Sequence, residues 1–488
     1  MFDEVWALQT LNLLKKKTSA IHIEDFRPIA IISVLQKLYS KMLLRLTKGK
    51  CDRLCAPQFA FRKTYQAHEV IFILRQLVEK SLEWNMALFV MDGDIRKAYD
   101  CTRHSVLIKG LQAKEVEDIL IAAVVREVRG SRTTVVVDGV TKTEPIVRSR
   151  SVPQGDPGMP AYFNAALDLP AGKFYRIAQS RRWGWKLSDG LYLPILLFAD
   201  NYWLIARSNA DLEEMTALWL DMLNEHGWGT PHSELTWATT LKDEEFTGKV
   251  IIEGKEVSRA DRNVGFKALG TYITFNGRND HELKLRIARA WQAFHKYACI
   301  LCNKKASTPN RLRMFVVLLH ATLFWCSGSW NLNNAQLSSL KGLQLKMLRK
   351  MFGGKRPPDM SLETYLRNVH RKVSDIKYRF NVQDLDVAAL RHHYGWAGHV
   401  SRIAAQYPDR LVGKVLFFRD REWLDVVGSQ NYGRQLHCRS LRIWRWERPL
   451  YKYASFLGVG SWHELAKCKR SWLSSLDDMA LWFRDHRA

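Results

Sequence analysis

A chain of 488 residues with 47% hydrophobic and 25% charged side chains can bury a core, which excludes a disordered protein and sets an expectation of roughly two to four domains. A net charge of +25 favours a polyanionic partner, nucleic acid before anionic membrane. Eight scattered cysteines make no disulfide framework and no apolar run is long enough to span a bilayer, so reduced thiols, an intracellular setting (nucleus, cytoplasm or both) and no membrane partner are expected.

Met1 to Lys17 mixes apolar residues with Lys15-Lys16-Lys17 and leads into Phe26-Arg27-Pro28-Ile29. Ile31 to Leu46 has the apolar spacing of a helix and closes in the basic stretch Arg45 to Lys50; with Arg62, Lys63 and Arg75 it makes a cation-rich first region. Leu88-Phe89-Val90 reads as a buried strand ending in Asp92-Gly93-Asp94. Glu115 to Arg126 is spaced as an amphipathic helix, and Thr133–Val137 with Thr143–Val147 as a hairpin about Asp138-Gly139. That hairpin delivers the chain to Val152-Pro153-Gln154-Gly155-Asp156-Pro157-Gly158, a turn-dense segment before the helix-like Ala161 to Gln179. Gly155 allows close backbone approach to a nucleotide or template, Gln154 offers a donor and an acceptor to a base or sugar, and Asp156 suits a helix cap.

Two apolar runs, Leu196–Phe198 and Tyr202–Ile205, then meet at the acidic turn Ala199-Asp200-Asn201, where a hairpin holds a carboxylate at its tip. Strand-end carboxylates at Asp94 and Asp200, able to share divalent metal, suit two-metal phosphoryl transfer. Oxygen ligands, with the backbone carbonyl of Ile95 as a third, select Mg2+ or Mn2+. Asp92 shares the parity of Asp94 and is either a hydrated strand-end residue or a further carboxylate. Asp211 to Glu225 is a helix stopped at Gly227, and Asn279–Lys305 and Pro309–Trp330 are helical, the latter with Thr308 as N-cap. Gly353 to Pro358 marks a linker before a helix-rich tail carrying Trp396, Trp423, Trp444, Trp446, Trp462, Trp472 and Trp482. Within it, Arg439 to Arg448 interleaves Arg with Trp, either a surface that stacks single-stranded bases or a core-packing helix with Arg at its margin.

In order, these stretches resemble the motifs of the reverse transcriptases of non-LTR (LINE-type) retroelements. Phe26–Ile29 is similar to the first fingers motif and Gln58-Phe59-Ala60-Phe61-Arg62-Lys63 to the second. Asp94 to Asp100 resembles the first catalytic motif, Pro153–Pro157 the PQGDP motif, Phe198–Asn201 the [FY]ADD motif and Phe266-Lys267-Ala268-Leu269-Gly270 the primer grip. The likeness covers roughly residues 10 to 300 and continues more loosely beyond. It implies an α+β right-hand polymerase: a fingers-like segment over 1–85, a ferredoxin-like palm over 86–278, a helical thumb over 279–352 and a basic, Trp-rich helical C-terminal extension over 353–488.

It also implies an RNA-directed DNA polymerase acting on an RNA template, a DNA primer and deoxynucleoside triphosphates, with Mg2+ (or Mn2+) as cofactor. Asp94 and Asp200 would bridge the metals, and Arg27 and Arg62 would meet the incoming triphosphate. Tyr99 would lie beneath the sugar and exclude a 2′-hydroxyl, or else simply pack; Asp100 is structural. Two departures stand out. The family's second hairpin Asp is Asn201 here, and between Arg207 and Lys242 no Lys or Arg stands where the family has a proton donor to pyrophosphate, only His232. A catalytically inactive RNA-binding remnant is therefore a second reading, and a group II intron-type maturase, disfavoured by the LINE-like spacing, a third. With its first motif at Arg27, the chain reads as a polymerase fragment or stand-alone remnant without a nuclease domain in front.

Overall fold

The computed structural model describes residues 8–15, 19, 21–22, 25–137, 141–147, 150–418 and 445–486. Lys16 and Lys17, the Asp138-Gly139 turn, Trp423 and the Arg439 to Trp444 part of the Arg and Trp alternation lie outside the described residues. The chain divides into two compact units, Met1–Val70 with Ala87–Ala260, and Ile71–Met86 with Asp261–Ala488. The second thus takes the expected thumb and C-terminal segments together with Ile71–Met86 and residues 261–278, which the motif order had grouped with fingers and palm.

The first unit is built on strands β1 (Leu8–Lys15), β2 (Phe26–Ile31), β3 (Phe89–Asp94), β4 (Arg132–Val137), β5 (Ile195–Phe198), β6 (Asn201–Ala206), β7 (Thr236–Thr239) and β8 (Ser258–Arg259). Its long helices are α1 (Val34–Cys51), the first turn of α2 (Ala67–Trp84), α3 (Met159–Ser180) and α4 (Asn209–Glu225). A five-stranded sheet is ordered β8-β7-β3-β6-β5, with β3 at its centre. Leu88, Val90 and Met91 are buried, as are Leu204 and Ile205 beside them, so both faces of these strands need cover and the strands take interior places. Each such side chain contributes roughly 1.5–3 kcal/mol by leaving water. Trp219 of α4 packs edge-on against Tyr202 (5.6 Å) and against Phe174 of α3 (5.5 Å), joining both helices to the Met91 face.

A second sheet is ordered β2-β1-β4, with β1 antiparallel to β2 and parallel to β4. The strand expected over 143–147 is instead two short pieces, Thr141–Lys142 and Ile146–Val147, both paired with β4. Pro145 has no N–H for a ladder, and the Thr143 hydroxyl accepts from the Val135 amide (3.0 Å) where a strand would pair backbone groups. The helix expected over 115–126 runs from Asp118 to Arg129, because Glu115 takes a left-handed conformation (φ 58°) in the turn before it.

Helix α1 begins later than its apolar spacing indicates, since Ile31 stays in β2 and the Ser33 hydroxyl caps the helix by accepting from Gln36 N (3.1 Å). Its sidedness is reversed. Gln36, Ser40, Leu43 and Thr47 face inward, whereas Val34, Leu35, Leu38, Met42 and Leu46 are exposed. The inward hydroxyls have partners: Ser40 Oγ donates to Asp156 Oδ1 (2.5 Å), and Thr47 Oγ1 donates to the Leu43 carbonyl (2.9 Å) and lies 3.2 Å from the Tyr162 hydroxyl.

The second unit contains most of α2 and helices α5 (Asp280–Lys296), α6 (Thr308–Leu323), α7 (Asn334–Phe352), α8 (Leu362–Arg379) and α9 (Leu385–Gln406). Helix α6 stops at Leu323, short of the expected Trp330, and α7 opens on a capping box between Asn333 and Gln336. The hairpin Phe266–Ala268 to Thr271–Ile273 is anchored by buried charge. Arg75 donates to Thr271 Oγ1 and the Tyr272 carbonyl (both 3.2 Å), Arg286 to the Gly270 carbonyl (2.7 Å), and Glu282 accepts from Arg286 Nε (2.5 Å) and Tyr272 N (2.9 Å). Lys80 of α2 directs its ammonium to the carbonyls of Val415, Leu416 and Phe418, closing the short helix Leu411–Phe417. In the described part of the Arg and Trp alternation, Trp446 is fully buried, packs on Phe72 (4.7 Å) and donates to the Gly328 carbonyl (2.9 Å), which makes it a core residue. Trp462 and Trp472 are buried likewise. Among the described residues no helix is long and apolar enough to cross a membrane.

Candidate active site

The two acidic strand ends meet. Antiparallel pairing of β6 with β3 sets Asn201 across from Asp94, Tyr202 across from Gly93 and Trp203 across from Asp92. Residues so placed have Cβ atoms about 5 Å apart. Asp200 occupies the turn between β5 and β6 after Ala199, which is left-handed (φ 56°). The Asp200 carbonyl accepts from the Ile95 amide (3.0 Å), and the Asn201 amide donates to Asp200 Oδ1 (3.3 Å). Asp94, Ile95, Asp200 and Asn201 therefore form one group at the sheet's end, with Asn201 across the strand pair from Asp94.

Gln58, a member of the second fingers motif to which sequence reading gave no role, pins this turn. Its side-chain oxygen accepts from Ala199 N (3.2 Å) and Ala60 N (3.0 Å), while Phe59 N donates to the Leu197 carbonyl (2.9 Å). On the other side of the strand pair, a Cβ at Gly93 would lie 2.3 Å from the Tyr202 ring, so only glycine lets that ring cross β3. The Tyr202 hydroxyl then donates to Thr230 Oγ1 (3.0 Å), tying the loop after α4 beneath the site.

The PQGDP segment is fastened to β2. Ala30 N donates to the Gln154 carbonyl (2.8 Å), and Gly155, at φ 118°, approaches so closely that a Cβ would stand 2.6 Å from the Ala30 oxygen. Its glycine thus serves backbone against backbone, and Gln154 stays half-buried beside it. Asp156 caps α3, accepting from Gly158 N (2.8 Å) and Met159 N (3.3 Å). This fastening carries Arg27, exposed on β2, to where its charge acts on Asp200.

Burial pushes the Asp200 carboxyl above the usual range, while hydrogen bonds from its own backbone amide and from Asn201, and the charge of Arg27, pull it back. Asp92 is raised by burial to about 7, with Asp94 adding to the rise and the Trp203 indole opposing it. The Tyr99 phenol is raised by burial and by Asp200, and its ring stacks on Phe163 (4.7 Å, 18°). Tyr99 is therefore both packed and close to the acidic pair. Arg62 is placed differently: it donates to the Gln58 carbonyl (2.8 Å), lies over the Tyr65 ring (4.0 Å), and its charge acts on Asp52 and Cys55. Its visible work is to hold the loop that positions Gln58. His232 sits 3.3 Å from the Lys255 carbonyl.

Among the described residues no three His, Cys, Asp or Glu side chains gather to hold a metal ion. The hairpin turn and the end of β3 together supply two carboxylates, an amide oxygen and a carbonyl. Hard oxygen donors around a carboxyl that burial has stripped of water fit a hard divalent cation, with one anionic ligand fewer than an Asp-Asp hairpin would give.

Residues 14–249 match the family model described as reverse transcriptase (RNA-dependent DNA polymerase). The retrovirus-related Pol polyprotein from the type-1 retrotransposable element R2 of Popillia japonica is 27% identical over 163 residues, 33% of this chain and 23% of that protein. The R2 polyprotein of Nasonia vitripennis is 24% identical over 57% of this chain and 27% of its own length. These residues form a reverse transcriptase domain. The chain spans about a quarter of the length of those two relatives. A probable RNA-directed DNA polymerase from transposon BS of Drosophila melanogaster matches more of it, 22% identical over 72% of this chain and 38% of that protein. The reverse transcriptase domain brings with it the right-hand polymerase fold, and the family uses divalent metal ions. Among solved structures, telomerase from Candida tropicalis in complex with a fragment of telomeric RNA aligns at a TM-score of 0.40 and 10% identity, covering 85% of this chain and 65% of that one.

Proposed function

We propose that this chain is an RNA-directed DNA polymerase of a non-LTR retroelement, extending a DNA primer on an RNA template with deoxynucleoside triphosphates. The observation that carries the reading is the meeting of Asp94 and the Asp200-Asn201 turn across β3 and β6, inside a matched reverse transcriptase domain. In the reaction the primer 3′-oxygen bonds to the α-phosphorus, its proton leaves to solvent, and pyrophosphate departs. Asp94, Asp200 and the Ile95 carbonyl would hold Mg2+ or Mn2+, which would lower the pKa of the 3′-hydroxyl and neutralise triphosphate charge. Arg27 binds the triphosphate beside Asp200. Tyr99, stiffened by Phe163, sits under the sugar and discriminates against a 2′-hydroxyl. Gln154 presents its amide to the base or sugar from a turn locked to β2.

Asn201 favours a second reading, an RNA-binding protein with little or no polymerase activity, because the residue facing Asp94 carries no charge. One set of experiments separates the two. Primer extension and binding on a primed RNA template are measured for the parent, Asp94→Ala and Asp200→Ala. Each substitution is expected to lower the extension rate about a thousandfold, on the order of 4 kcal/mol of transition-state stabilisation, with binding retained. Extension at near-parent rate by either variant would sink the assignment; a parent that binds without extending supports the inactive reading.

A further inference from the structure

The reversed sidedness of α1 leaves an apolar seam on the protein surface. Leu35 (51% exposed), Leu38 (56%), Met42 (58%) and Leu46 (64%) follow one another at intervals of three or four residues along one face of the helix. Scattered exposed apolar residues need no explanation, but an ordered seam over three turns does. Intervals of this kind are those by which one α-helix accepts another, knob into hole. Along one edge of the seam run Lys37, Lys41, Arg45 and Lys48, again three or four residues apart.

We infer that α1 is a docking site for an amphipathic α-helix whose own apolar seam is bordered by Asp and Glu. The basic edge selects that occupant. In an antiparallel two-fold pairing with a second copy of this chain, the same edge would meet itself, setting the basic row against its twin. Nucleic acid would use the cations and leave the leucines in water. The inward face of α1 is already committed through Ser40 and Thr47 to Asp156 and Tyr162, so a partner on the outer face would bear on the element that positions the cap of α3.

The test uses the full chain and a fluorescein-labelled synthetic helix about four heptads long, with Leu along its seam and Glu on both flanks, followed by anisotropy at physiological salt. Two control peptides keep the length: one has Gln in place of the seam Leu at equal charge, the other Lys in place of Glu. The Leu-Glu helix is expected to bind at least tenfold more tightly than either control. Leu38→Gln with Met42→Gln, whose fold is checked by circular dichroism, should remove that advantage, and Lys41→Glu with Arg45→Glu should transfer it to the Lys-flanked helix. Equal binding of the Leu and Gln peptides would reduce the effect to the protein's net charge and overturn the inference, as would no binding at all. Self-association abolished by the same Gln pair would assign the face to a second copy. Sedimentation with phosphatidylserine vesicles that the pair abolishes would assign it to a membrane.

Discussion

Asn201 differs from a carboxylate by one NH2 group, yet it occupies the position directly across from Asp94. At an effective dielectric of about 20, a missing unit charge a few ångströms from a cation is worth roughly 4 kcal/mol per unit of cation charge before solvent relaxes around it. Asn201→Asp is therefore expected to raise the extension rate and shift its Mg2+ dependence to lower concentration; an unchanged titration would make Asn201 a tolerated variant. Asp94, Asp200 and Asn201 were legible in the sequence because a strand end is a local pattern. Gln58 was not, since its role is a hydrogen bond to Ala199, a residue far along the chain. Nor was Glu127, one polar position on an amphipathic helix, which the fold buries with no hydrogen-bond partner for either carboxylate oxygen among the described residues. Burial raises it to about 8 from 4.5, with Asp156 adding to the rise. A carboxyl raised on folding contributes stability that is full below about pH 4.5 and is lost as the pH climbs through 8. Glu127→Gln should hence raise the unfolding midpoint at pH 9, by an amount equivalent to a few kcal/mol, and leave it nearly unchanged at pH 5. A thermal melt series across pH would show equal midpoints at pH 9 if the site is hydrated.

Among elements, the sequence disclosed the type of α1 but not which side it buries. Period alone marks a helix, and the rule that apolar residues point inward fails where Ser40 and Thr47 have buried partners of their own. The strand expected over 143–147 is interrupted for a simpler reason, the lack of an N–H at Pro145. Residues 266–270 were recognisable by their likeness to the primer grip, whereas the anchoring of the 266–273 hairpin by Arg75, Glu282 and Arg286 depends on residues far apart in the chain. Glu282 is fully buried and offsets the charges of Arg75 and Arg286. Glu282→Ala should destabilise the second unit by roughly 3–5 kcal/mol, since both guanidinium groups would stay buried with one anion fewer. Urea unfolding followed by tryptophan fluorescence measures this, and a loss below about 1 kcal/mol would mean that water reaches the cluster.

At the scale of the whole molecule, the net charge of +25 governs how polyanions are met. Binding to a primed RNA template is expected to weaken linearly on a log-log plot against salt with a slope of several units, and a flat response would contradict an electrostatic grip. The tail shows the limit of composition as a guide: the Arg and Trp alternation fitted stacked bases and core packing alike, and its described Trp446 is core, as are Trp462 and Trp472 further on. The division of the chain was also hidden, because contacts rather than motif order place Ile71–Met86 with residues beyond 260. That interleaving bears on biosynthesis. The stretch bearing Phe72, Ile73, Arg75, Leu77 and Lys80 leaves the ribosome before any of the segments that cover or pair with it, residues 271–286, 415–418 and 446, has been made. The first unit can close while it waits, but the second cannot be completed until translation nears its end, so a nascent chain paused after Ala260 carries an apolar helix whose covering segments have not been made, a ready ligand for chaperones.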